Sequence, residues 1–146
     1  MNPKTSSPMV SILLILGGAV FLVFGSLHAL YTVLDLRKPR RLVPVDPSVA
    51  QAMANTALGL SPGDTNMWRA WIGFNFSHSV GVLLVGALAV WAGLRISTLP
   101  SGIMPALILI GCVYLVLALR YWFPDPAIGV AIATACFVAA WLRSLI

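Results

Sequence analysis

The sequence predicts an all-α fold: a polytopic membrane four-helix bundle with a short interfacial helix in its first loop. Three observations carry that expectation. The 146 residues are 60% hydrophobic and only 9% charged, where a soluble domain carries about a quarter charged residues. No glutamate occurs, and the four acids are all aspartate. Four apolar runs, approximately 9–34, 69–94, 103–122 and 126–143, are each near or above the ~20 residues that cross a ~30 Å hydrocarbon layer. With so much of the chain in spans, residues 1–146 read as a single transmembrane domain, with no room for a separate soluble one.

Residues 1–8 form a short polar leader containing Pro3 and Lys4. The apolar run behind it is too long for a signal-peptide core, and no small-residue cleavage site precedes Asp35, so the leader is expected to be retained. In the first span, a helical step of about 100° per residue puts Gly17, Phe21, Phe24, His28, Tyr31, Thr32 and Asp35 on one side. Every strongly polar group of its second half shares that side, which is therefore expected to face protein.

Arg37-Lys38-Pro39-Arg40-Arg41 stops the helix with a proline and places four cations beside the membrane. The loops on this side hold Arg37, Lys38, Arg40, Arg41, Arg69 and Arg120, against Lys4, Arg95 and Arg143 on the other, so both termini are expected outside and the first loop inside. The net charge of +5 is read as a topology signal and an anchor for anionic headgroups, and no nucleic-acid partner is expected. In the first loop, Asp46-Pro47 matches an N-cap followed by a first-turn proline, predicting an interfacial helix over approximately 47–58. Ser61-Pro62-Gly63-Asp64 reads as the turn before the second span.

The second span opens on Met67-Trp68-Arg69-Ala70-Trp71-Ile72-Gly73-Phe74-Asn75-Phe76-Ser77-His78-Ser79-Val80-Gly81. Trp68, Trp71, Asn75, His78, Ser79, Val82, Gly86, Ala89 and Gly93 fall on one face, polar in its first half and small in its second. Small residues let backbones approach where no water drives helices together. The third span carries Pro105 in its first turn, and Tyr121-Trp122-Phe123 after it is expected to join Trp68 and Trp71 in an aromatic belt. In the fourth, Gly129 and Ala133 form a small-xxx-small pair. Cys112 and Cys136 fall near the middles of spans three and four and are expected as buried thiols packed like small hydrophobes.

With boundaries at Leu34 and Trp68, His28 lies ~9 Å and His78 ~15 Å from the same membrane face, and a small shift brings them level. His28, Thr32, Asp35, Trp68, Trp71, Asn75, His78 and Ser79 are thus the candidate residues of one polar layer between the first two spans. Three readings remain open. In the first, imidazole, amide and hydroxyls satisfy one another across the helices of a non-catalytic accessory or scaffold subunit, with no cofactor and no metal. In the second, the layer lines a site for a small lipophilic ligand, or for an enzyme acting on a lipid or isoprenoid, with Asp35 or a histidine exchanging a proton. In the third, His28 and His78 are axial ligands of a b-type haem. Partners expected throughout are membrane lipids and a second copy or a larger membrane complex.

The Met67–Gly81 segment, the Asp46-Pro47 helix and Gly25-Ser26-Leu27-His28 together resemble a family of small bacterial four-span integral membrane proteins to which no reaction is assigned. The resemblance extends over the whole chain and implies bundle topology and a bacterial cytoplasmic membrane. In architecture alone the chain is also similar to sterol-isomerase-like membrane bundles, whose acidic catalytic groups have no counterparts here.

Overall fold

The structure, a computed structural model, describes residues 8–146. Residues 1–7 of the leader, Lys4 among them, lie outside the described residues, and Pro8 opens α1. Helix α1 runs Pro8–Arg37, and a short helix α2 follows at Pro47–Asn55. A small antiparallel hairpin, β1 Ala57–Leu58 with β2 Ser61–Asn66, leads into α3 at Met67–Leu94. One turn of 3₁₀ helix at Ile96–Thr98 precedes α4, Ile103–Tyr121, and α5, Pro124–Leu145. The fold is all-α, and α1, α3, α4 and α5 are long and apolar enough to cross a membrane. At 30 and 28 residues, α1 and α3 reach about 45 and 42 Å, longer than the hydrocarbon layer. The outer faces of α3 and α4 carry large apolar side chains such as Leu84, Leu109 and Leu119, all more than 60% exposed, and α1 adds Leu16, Val23 and Leu36, each more than half exposed. In water such faces associate; among acyl chains they are at home.

The chain forms two compact units. One takes in the chain up to Phe24 together with Val82–Ile146, and so contains parts of all four long helices. Its centre is Phe21, which stacks on Phe137 of α5 at 6.0 Å and meets Tyr114 of α4 edge-on at 5.7 Å. Val10, Leu14, Ala89, Leu107, Ala133 and Ala140 complete a closed apolar interior.

The α1–α3 crossing in this unit is set by glycine. A Cβ on Gly86 would lie 2.8 Å from the Gly18 carbonyl oxygen and 2.8 Å from the Leu22 nitrogen, and a Cβ on Gly18 would meet the Gly86 oxygen equally closely. Seven residues away on each helix, Ser11 donates its hydroxyl to the Gly93 carbonyl at 2.5 Å. The matching step of seven, run in opposite directions, is a close-packed antiparallel pair. Gly17 gives its space to the Phe137 ring, and Gly129 to Phe24. The small half of the α3 face therefore packs as its composition predicts. Cys112 does not: it is exposed on the outside of α4, and Cys136 is only partly buried. A helix apolar on every side gives periodicity no means of choosing which side turns outward.

The second unit, Gly25–Gly81, holds the C-terminal part of α1, the first loop and the N-terminal part of α3. Asp46 caps α2 by accepting the Ser48 N–H at 2.8 Å, with Pro47 at the first helical position. Hydrogen bonding from Ser48 holds the Asp46 carboxyl below its ordinary range. The helix is shorter than the expected 47–58, because Ala57 and Leu58 pair with β2 instead. The reversal falls at Gly59-Leu60, and Ser61-Pro62-Gly63-Asp64, expected as a turn, begins β2. Gly63, at φ 121°, is the one described residue in the left-handed region. Asn66 ends the hairpin and caps α3, its side-chain oxygen accepting the Arg69 N–H at 2.9 Å.

Replacing Gly86 by alanine is expected to lower stability in detergent by about 1–3 kcal/mol, because backbone on the facing helix cannot give way. Gly73→Ala, with nothing within 4 Å of the new methyl, is expected to be neutral or slightly stabilising. Thermal melts of the two variants beside the parent check both.

Candidate functional site

All the candidate residues lie in the Gly25–Gly81 unit, and the structure sorts them into two groups. The first surrounds Asn75. Its amide donates from Nδ2 to the Trp71 carbonyl one turn back on α3, at 2.8 Å, and its Oδ1 lies 2.9 Å from Nε2 of His28 on α1. An amide oxygen only accepts, so Nε2 of His28 carries the proton of that bond. The His78 ring meets the His28 ring edge to face, centroids 5.0 Å apart. His28 lies nine residues before the end of α1 and His78 eleven after the start of α3, about 14 and 17 Å along their helices. The three residues that α1 gains beyond Leu34 bring the two imidazoles level.

Along α3, His78 stacks on Phe74 at 5.9 Å and Phe74 on Trp71 at 6.1 Å, a ladder at helical spacing. Asn75 is 1% exposed, whereas Phe74 is 50% exposed and the imidazoles are half-buried. Phe74 is the member that sequence reasoning missed, although its place between Trp71 and His78 follows from their spacing. Trp68 occupies the first turn of α3, partly buried, and among the described residues no hydrogen bond or ring contact joins it to the layer.

Thr32 and Ser79 are fully buried but do not bond across the helices as the first reading expects. Thr32 donates to the His28 carbonyl at 2.9 Å and Ser79 to the Asn75 carbonyl at 2.8 Å, each one turn back on its own helix. Short hydroxyl side chains reach the i−4 carbonyl more easily than a neighbouring helix. The hydrogen bond from His28 to Asn75 joins α1 to α3 within the layer.

The second group centres on Asp35, which stands two turns of α1 beyond His28 and outside the imidazole layer. Past Arg37, Lys38 still donates its N–H to the Leu34 carbonyl at 3.0 Å, and the chain then turns at Pro39, taking the N–H groups of Arg40, Arg41 and Leu42 away from the helix. The Asp35 carboxylate receives them. Oδ1 accepts from Arg40 at 3.0 Å and Arg41 at 3.2 Å, and Oδ2 from Arg41 at 3.1 Å and Leu42 at 2.6 Å. Both oxygens are engaged, and the group is 1% exposed, so the carboxylate holds the loop. Trp71 fastens the same loop from α3 by donating Nε1–H to the Leu42 carbonyl at 2.7 Å, and the Arg41 guanidinium lies 5.0 Å over the Tyr31 ring. Nothing in the local sequence distinguishes this latch from an ordinary acid at a helix end.

Axial ligation of haem needs the two imidazole nitrogens to oppose each other across the width of a porphyrin. Here the rings touch edge to face and Nε2 of His28 is held by Asn75, which does not fit that group. Among the described residues no three His, Cys, Asp or Glu side chains converge as a metal site. Compared with known proteins, the chain matches no family, no curated protein and no solved structure.

Removing the Asp35 acceptors should loosen the loop without unfolding α1. Asp35→Ala is expected to cost about 1–3 kcal/mol and to speed tryptic cleavage at Arg37–Arg41 several-fold, read by timed digestion in detergent. A double-mutant cycle on His28→Ala and Asn75→Leu should return a coupling of about 0.6–1.7 kcal/mol, read from unfolding in mixed micelles.

Proposed function

We propose that this chain is a non-catalytic accessory or scaffold subunit of the bacterial cytoplasmic membrane, with both termini outside and the first loop inside. It works as a homo-oligomer or as part of a larger membrane complex, with acyl chains or neighbouring subunits against its outer faces. One observation carries the reading. Thr32, Ser79 and Asn75 donate to carbonyls one turn back on their own helices, Asn75 also accepts from His28, and Asp35 accepts from the loop backbone, an arrangement that serves to fix structure. The excess of Lys and Arg around the first loop supports the orientation, and the resemblance to small bacterial four-span proteins supports the compartment.

A second reading, a binding site or enzyme for a small lipophilic molecule such as a lipid or isoprenoid, is favoured by the half-exposed ladder of Trp71, Phe74 and His78. Reconstitution at one chain per nanodisc or several separates the two. A scaffold is expected to assemble into a defined oligomer whose stoichiometry survives His78→Phe, since the aromatic stack outlives the imidazole. A stable monomer that carries one small lipophilic compound through purification, and loses it in His78→Phe, would overturn the scaffold in favour of the second reading.

A further inference from the structure

The first loop carries a feature that neither reading uses. A groove of about 370 Å³ opens in the Gly25–Gly81 unit, lined by Arg41, Leu42, Val43, Pro44, Met53 and Trp71. Its size falls within the ~300–1,000 Å³ of small-molecule sites, and its walls are apolar but for one guanidinium. Arg41 lines it, and Arg37, Lys38 and Arg40, exposed like Arg41, immediately precede it in the chain. Trp71 enters from α3 about 6 Å past that helix's first residue, the depth at which an indole sits between headgroups and chains.

Two details make this a prepared surface and not merely a basic loop. The backbone of residues 40–42 is bonded to Asp35 and the Leu42 carbonyl to Trp71, so the loop is held at both edges before anything binds. The acids that flank the cluster in sequence are engaged through their oxygens: Asp35 with backbone N–H groups and Asp46 with Ser48. Among the described residues no ion pair joins these side chains to a carboxylate; Arg41 rests on the Tyr31 ring, and all four cations are exposed to an external anion. An occupant must combine negative charge with an apolar body and approach from the membrane.

We propose that this groove binds an acidic phospholipid. The phosphate lies on the cationic cluster, with Arg41 nearest, and the first part of an acyl chain lies against Leu42, Val43, Pro44, Met53 and Trp71. The site does not depend on the scaffold reading; it needs only that the loop meets a membrane surface.

Native mass spectrometry of the full chain, released from micelles containing phosphatidylglycerol or phosphatidylcholine, tests it. The parent chain is expected to keep one phosphatidylglycerol in clear preference to phosphatidylcholine. Arg40→Gln with Arg41→Gln should lower that retention about tenfold or more, at about fivefold per basic side chain near an anionic surface. The bonds to Asp35 come from backbone, so this variant gives up the Arg41 contact with Tyr31 but keeps those bonds, and a matching thermal melt verifies that the loop stays anchored. Met53→Trp fills the groove without touching charge and should also release the lipid, while Arg143→Gln, outside the loop, should change nothing. Equal retention of both lipids by the parent, or undiminished retention in the double variant, would overturn the proposal. Retention unchanged by Met53→Trp, or competition by glycerol phosphate that lacks acyl chains, would reduce the site to a charged surface and overturn the groove.

Discussion

A polar group placed among acyl chains must find its partner inside the protein, and Asn75 shows what that requirement does here. An amide has donors and acceptors to satisfy at once. Nδ2 is closed by the Trp71 carbonyl of its own helix, which fixes the rotamer; Oδ1 is then aimed at one point on α1, where His28 supplies the proton. The imidazole so placed meets His78, and His78 continues the ring stack along α3. Each contact follows from the one before, and the first is a local hydrogen bond dictated by helical geometry.

The same requirement, met differently, shapes the loop. Where α1 ends, three consecutive backbone N–H groups emerge without carbonyl partners, and a carboxylate two oxygens wide closes them better than any neutral side chain. Asp35 fills that position, and Trp71 completes the closure from the other helix. Trp71 thus serves twice: its carbonyl orients Asn75 and its indole N–H fastens Leu42. In the unit that contains Val82–Ile146 the helices are held by other means. Backbone approaches backbone at Gly18 and Gly86, and rings fill the space left at Gly17 and Gly129, so close dispersion contact stands beside the Ser11-to-Gly93 hydrogen bond.

Much of this was legible in the residues. The four spans follow from run length alone, and the inward side of α1 from the angular grouping of His28, Thr32 and Asp35. The cap at Asp46-Pro47 is a local signal that needs no tertiary context. What stayed hidden depends on where the chain goes next. Asp35 beside an Arg-rich run reads equally as a proton donor or a loop acceptor until the path around Pro39 is known. The hairpin escapes notice because Ser61-Pro62-Gly63-Asp64 has turn composition, and its partner strand is only two residues long. Thr32 and Ser79 were placed on the correct face, but a face does not say whether a hydroxyl crosses to a neighbour or bends back to its own carbonyl. Cys112 was misplaced because an all-apolar helix has no outward side in its sequence.

The polar layer earns its place less by strength than by position. A hydrogen bond between membrane helices contributes about 0.6 kcal/mol on average, which a well-packed leucine pair would match. Leucines, however, tolerate sliding: moving one apolar helix by a turn, about 5.4 Å, replaces one hydrocarbon contact with another. The same shift takes His28 off Asn75 and leaves the buried amide oxygen without that partner. The Asp35 latch adds a second constraint of this kind at the end of α1. Its acceptors match donors only when the loop leaves the helix along one path, and Trp71 reaches Leu42 only when α3 stands in register with that loop. Polar groups here discriminate among packings that the apolar surface alone would accept.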